Sequence, residues 1–258
     1  MGLALNEYHF QLVDPNLADT AVSIDDDTGV CNVLTADSPA EVTIYSDKQG
    51  TTASNPLTFT NGAIRFFTAN TVTTVDLSIL TATGVAVFAE DVTPSMHRIV
   101  IDTRKREQTL VIPLLFNNNV ETDTGFDLPA GCLLSPYDLG LRVTAVDSTE
   151  TIDVGILASE SGGDANGFIT AASIATGGMV NLIPQITGGT NIDYGSTNYV
   201  GALLATVIAG ADAVATVGGW TPICSYRTDG VAKSISYTCS AGSDTFYGYL
   251  YLGYTRMP

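Results

Sequence analysis

The chain has 258 residues, and its 10 Lys and Arg against 27 Asp and Glu give a formal net charge of −17. That balance argues against a nucleic-acid grip, because phosphates are held by exchanging counterions for Lys and Arg, and it disfavours anionic membrane surfaces as well. Hydrophobic residues make up 45% and charged residues only 14%, so the chain is not disordered and its polar surface is built mainly from Thr, Ser, Asn and Gly.

Met1 to Glu7 has no basic start, and Glu7 interrupts any apolar leader core, so a cytosolic chain at synthesis is expected. Tyr8-His9-Phe10 alternates apolar and polar and reads as a strand. Asp25-Asp26-Asp27, followed by Thr28-Gly29, reads as an acidic loop whose oxygens are of the kind calcium takes. Strands are predicted at Glu41 to Tyr45, Leu57 to Phe67, Val72 to Ile79, Val85 to Phe88 and His97 to Ile101, with a turn at Asn61-Gly62. Val72 to Ile79 alternates branched apolar with polar residues, the pattern of a strand buried on one face.

Arg98, Arg104, Lys105 and Arg106 supply four of the ten basic residues within one short stretch. The composition shifts there, which places a domain boundary near Thr103. The stretch reads either as a solvated connector or as a salt-sensitive contact onto an acidic neighbour.

Further strands are predicted at Thr109 to Phe116, Gly140 to Val146, Thr151 to Leu157, Val231 to Thr238 and Phe246 to Tyr254. Asp123-Thr124-Gly125, Asn166-Gly167 and Asp229-Gly230 are turn signals between them. Glu160, Asp164 and Asn166 form a partial calcium loop that lacks a closing bidentate acid. Helix is expected only over Tyr199 to Val214, where the Thr and Val content leaves a strand as the alternative, and in a short turn near Gly167 to Ala175. The apolar stretch Val200 to Val217 carries Asp212, Gly201 and Gly210 and is rich in Ala and Thr, unlike a membrane span. The expected fold is all-β with two β domains: a small β-sandwich or barrel over residues 1–105 and a jelly-roll-like β-sandwich over residues 106–258.

Catalytic vocabulary is sparse. His9 and His97 have no nucleophile or metal partner motif nearby, and no GxSxG or HExxH occurs. Cys31, Cys132, Cys224 and Cys239 lack zinc spacing. They are expected as buried thiols, although Cys224 and Cys239 flank an Asp-Gly turn and a bridge between them is the alternative. No cofactor, metal or enzymatic activity is expected. Tyr247, Tyr249 and Tyr251 fall on one side of the last strand. That row suits a subunit contact, and a sugar-stacking platform is the other reading.

Two regions look familiar. Glu41 to Phe67 has the order strand, Gly50-Thr51 turn, Asn55-Pro56, strand, Asn61-Gly62, strand, and it resembles units of tailed-phage fibre and head-decoration proteins. Asp127 to Gly131, Thr151 to Phe168, Ser234 to Thr238 and the closing aromatic strand resemble the β-sandwich of phage virion proteins that coat the capsid exterior. The resemblance implies a non-enzymatic virion structural protein, a decoration or cement protein on the capsid exterior. Its partners would be the major capsid protein and two further copies of itself in a closed homotrimer. Arg98, Arg104, Lys105 and Arg106 would meet capsid carboxylates, and the Tyr247, Tyr249 and Tyr251 face would be a subunit contact. A receptor- or glycan-binding fibre protein is the alternative within this reading. A glycan-degrading enzyme built on paired carboxylates is the third.

Overall fold

The computed structural model describes residues 4–14, 28–96, 98–100, 105–146, 150–180, 182, 199–204, 226–240 and 245–256. The fold is all-β, as the alternation predicts: the described residues hold strands β1 to β16, one 3-10 turn at Ala202–Leu204, and no α-helix. The chain divides into two compact units, Met1–Pro113 and Leu114–Pro258.

The first unit contains β1 (Leu5–Val13), β2 (Val30–Thr35), β3 (Leu57–Thr58), β4 (Ala63–Ala69), β5 (Val75–Leu80), β6 (Ala86–Val92) and β7 (Arg98–Val100). One sheet has the order β4-β1-β7 and the other β3-β2-β5-β6. The period of two directs Tyr8, Phe10 and Leu12 of β1 inward with Ile64, Phe66 and Ile99, where they join Cys31, Val33, Val75, Leu77 and Ile79 in one core. Tyr8 and Phe66 stack in it with ring centroids 4.9 Å apart. The opposite face of β1 carries Glu7, His9 and Gln11.

Strand β5 departs from expectation. Its alternating sequence predicts one solvated face, yet all of Val75–Leu80 is buried. The polar residues are inside because each is satisfied there. The Ser78 hydroxyl donates to the Val111 carbonyl. The Asp76 carboxylate accepts the backbone N–H groups of Asp37 and Asp91, both at 2.9 Å. Asp37 and Asp91 hold φ of 59° and 53°, a left-handed conformation disfavoured for side-chain-bearing residues, so one buried carboxylate pins a turn at Asp37 and the irregularity of β6 at Asp91.

Strand β8 (Glu107–Leu115) begins in the first unit and ends in the second. The second unit adds β9 (Thr122–Leu128), β10 (Leu133–Ala145), β11 (Thr151–Ile156), β12 (Asp164–Ser173), β13 (Gly178–Val180), β14 (Tyr226–Arg227), β15 (Lys233–Cys239) and β16 (Tyr247–Thr255). One sheet has the order β13-β10-β16-β8, with β14 also on β10, and the other β12-β11-β15-β9. Leu134, Leu141, Leu250 and Leu252 of the first sheet are fully buried, as are Phe126, Ile152, Val154, Phe168 and Ile235 of the second. Asn117 stitches the unit locally: its amide donates to the Tyr237 carbonyl and the Thr122 hydroxyl, and its oxygen accepts the Cys239 N–H.

Several expectations are corrected. Gly167 to Ala175 is not helical; Asp164–Ser173 is strand β12. Asp123-Thr124-Gly125 and Asn166-Gly167 are not turns between strands. Each lies where the ladder skips residues; Gly125 supplies the positive φ that a β-bulge shares with a turn, whereas Gly167 leaves room for Leu203, whose Cδ1 would be 2.5 Å from an added Cβ. Gly125 has φ 73°, and Ala171, at φ 47°, is held by its N–H on the Asp153 carboxylate. Glu41 to Tyr45 makes isolated bridges and no continuous ladder, and Leu57 to Phe67 splits into β3 and β4 around the Asn61-Gly62 turn. Of Tyr199 to Val214, the described part forms an antiparallel bridge from Val200 to Ile169 of β12 and then the 3-10 turn. The expected boundary near Thr103, together with Cys224, His97 and Asp25-Asp26-Asp27, lies outside the described residues.

Two predictions follow from this packing. Asp76→Ala orphans two backbone donors, and a loss of about 2–4 kcal/mol is expected from urea unfolding followed by circular dichroism; a loss under about 0.5 kcal/mol contradicts the role. Burial pushes the Cys31, Cys132 and Tyr254 ionisations upward. The unfolded chain then releases these protons first, so the stabilisation is complete below the ordinary thiol value of about 8.5 and is lost as pH rises through it and the tyrosine value of about 10. The urea midpoint should fall steadily between about pH 8 and about pH 10.5.

Candidate functional site

Three surfaces carry the residues that the sequence singles out. The first is the outer face of the β10 and β16 pair in the second unit. Tyr247, Tyr249 and Tyr251 alternate along β16 with Gly248, Leu250 and Leu252, and their partners across the ladder are Ala145, Arg142 and Gly140. The row is uneven: Tyr247 is 41% exposed and Tyr249 only 7%, with Tyr251 half-buried. The Tyr249 and Tyr251 rings lie 6.5 Å apart at 46°, so they do not form one flat platform. Met179 of β13, 64% exposed, lies over Gly140, where an added Cβ would be 3.2 Å from its Cε and 3.5 Å from the Tyr251 Cβ. Exposed Arg142 and Val146 complete an apolar strip with a single cation. Sequence reasoning missed Met179 and Arg142, because only strand register brings them beside the tyrosines.

The second surface concerns the basic stretch. Arg98 lies on β7, whose exposed residues are Arg98 and Val100. Lys105 and Arg106 are exposed just before β8, where the Gln108 amide holds the Lys105 carbonyl at 2.5 Å and accepts the Ala86 N–H. Arg104 lies outside the described residues.

Arg98 instead shares a face with basic residues distant in sequence. On the outer face of the β4-β1-β7 sheet, Arg65 is directly opposite His9, and Gln11 is opposite Arg98. Arg65 donates to Glu7 at 2.7 Å and Lys48 reaches the same carboxylate at 3.1 Å. The Lys48 hydrogen bond, with a lesser one from Arg65, holds the Glu7 carboxyl below its ordinary range against the opposing effect of desolvation. Both cations also lie over the Phe67 ring, at 6.0 and 5.3 Å from its centroid. These are the two ion pairs among the described residues, and both use Glu7.

The third is the loop around Glu160. Glu160 accepts the Ser234 N–H at 3.1 Å through Oε1, while its Oε2 is buried with no hydrogen-bond partner among the described residues, and Asp164 accepts the Asn166 N–H at 3.4 Å. The buried Lys233 amino group donates to the Ser161 carbonyl at 2.7 Å. Among the described residues, no three His, Cys, Asp or Glu side chains are grouped to hold a metal.

No protein-family model, curated protein or solved structure matches this chain. The site is therefore argued from geometry alone.

Because a lysine already fills the Glu160 loop, millimolar calcium should move the thermal midpoint by less than about 1 °C. Lys233→Met, which keeps the apolar stem but removes the donor, should cost about 1–3 kcal/mol in urea unfolding. A calcium-dependent rise in midpoint of several degrees would overturn this assignment.

Proposed function

We propose that the chain is a non-enzymatic virion structural protein, a decoration or cement protein that binds the outer surface of a phage head and stabilises the shell. The observation that carries the reading is the strand order of the second unit. Read in chain order from β8 and leaving aside the two-residue β14, the sheets β8-β16-β10-β13 and β9-β15-β11-β12 interleave eight strands as a jelly roll does. That double Greek key recurs in viral capsid domains.

The surface chemistry agrees with it. A protein of net charge −17 is suited to the outside of a shell, away from packaged nucleic acid. The strip of Tyr247, Tyr251, Met179 and Val146 is apolar enough to be a contact between copies, with Arg142 supplying orientation. A closed trimer buries this strip on every subunit. Jelly rolls also serve lectins, but the tilted rings and the near-complete burial of Tyr249 favour a protein contact over sugar stacking.

The test is to mix the purified protein with undecorated shells, pellet them, count bound copies, and size the unbound protein by light scattering. Saturation at a copy number set by the lattice, with a trimeric free form, is the expected result. Tyr247→Glu combined with Met179→Glu should give monomers with stability changed by no more than about 1 kcal/mol, since both side chains are exposed. A monomeric wild-type protein that binds no shell overturns the reading.

A further inference from the structure

We infer that the outer face of the β4-β1-β7 sheet is a docking surface for a carboxylate-rich protein surface, with Arg98, Arg65 and Lys48 as its cations. The inference rests on the decoration reading and deepens it, by identifying the attachment face and the chemistry of the capsid surface that it meets.

Basic residues are scarce in this chain. The chain has only 10 basic residues among 258, and nothing in the sequence brings Lys48, Arg65 and Arg98 near one another. Strand register does so. The Arg65 and His9 pair and the Gln11 and Arg98 pair place the two arginines two strand spacings apart and two residues offset along the strand, roughly 12 Å, on the same side of the sheet. Their inward neighbours Ile64, Phe66 and Ile99 are at most 5% exposed, so the direction of each outward side chain is fixed by the core.

Glu7 is the one acid that the outward positions of β1, β4 and β7 contribute, and Lys48 and Arg65 share it. On the strands two arginines stand against Glu7, and the adjoining loop adds Lys48 together with Asp47, whose carboxylate is turned onto Gln49 and Thr51 of its own loop. The face is therefore positive by one charge on a strongly negative molecule. The Arg65 and Lys48 side chains remain 56% and 67% exposed even while paired. Arg98 is exposed and makes no ion pair among the described residues. Beside it Val100, 62% exposed, and Gln11 supply an apolar and a hydrogen-bonding contact. A rim of cations around a small neutral patch is complementary to a protein surface of clustered Asp and Glu. The rest of the molecule, being acidic, repels such a surface, so the face also sets the orientation of docking.

The test uses the full-length protein and undecorated shells, with bound protein measured against free at about 0.05 M and about 0.5 M salt. Affinity should drop markedly over that range as screening shortens. Arg98→Glu should weaken binding by about tenfold or more. Glu7→Gln, which removes the one opposing charge on the strands, should strengthen it at low salt. Arg227→Glu, an exposed reversal in the second unit, should leave affinity unchanged, and thermal midpoints within about 2 °C show that the variants remain folded. Wild-type binding that is indifferent to Arg98→Glu and Glu7→Gln overturns the docking face and leaves the decoration reading intact. Absence of wild-type binding overturns both.

Discussion

A carboxylate buried in the middle of a strand sets the terms for the first unit. Asp76 sits on β5 at 3% exposure, and a buried charge is tolerated only when its lone pairs are engaged. Two backbone N–H groups engage them, from Asp37 and Asp91, residues that adopt left-handed conformations to do so. With Asp76 and Ser78 satisfied internally, the sheet that holds β5 can be covered on both faces. The other sheet of the unit keeps the ordinary arrangement of one apolar and one solvated face. Its solvated face carries the cations.

Much of the all-β architecture was legible in the alternation. The period of two located β1, β5, β8, β10, β11, β15 and β16, and residues such as Tyr8, Phe10, Leu250 and Leu252 are buried as their positions require. What was not legible has physical causes. Strand β12 is rich in Gly, Ala, Ser and Thr, so its apolar signal is weak, and its Asn166-Gly167 pair marks a bulge where the same dipeptide usually marks a turn. The solvated face expected for β5 failed because the polar residues of a strand can be satisfied by backbone groups far away in sequence, here those of Asp37, Asp91 and Val111. Alternation reports which side a residue is on; what lies against that side is a tertiary fact.

The candidate surfaces show the same division. Tyr247, Tyr249 and Tyr251 share a face, as a strand dictates, but Tyr249 is covered and Met179 is the most exposed apolar neighbour. The linear group of Arg98, Lys105 and Arg106 suggested one contact, whereas register sets Arg98 opposite Gln11 on the sheet face that also carries Arg65, and Lys105 and Arg106 lie before β8. Charge clusters read along the sequence are the least transferable of such signals, because successive residues of a strand face opposite ways.

These features combine into one mechanical account: an acidic double-unit β protein with an apolar strip suited to its own copies and a basic sheet face suited to an acidic shell. Electron cryomicroscopy of shells saturated with the protein tests this most directly. The account predicts the β4-β1-β7 sheet against the shell, with Arg65 and Arg98 within about 4 Å of capsid carboxylates. Density that places this sheet towards solvent, with another face on the shell, would contradict it.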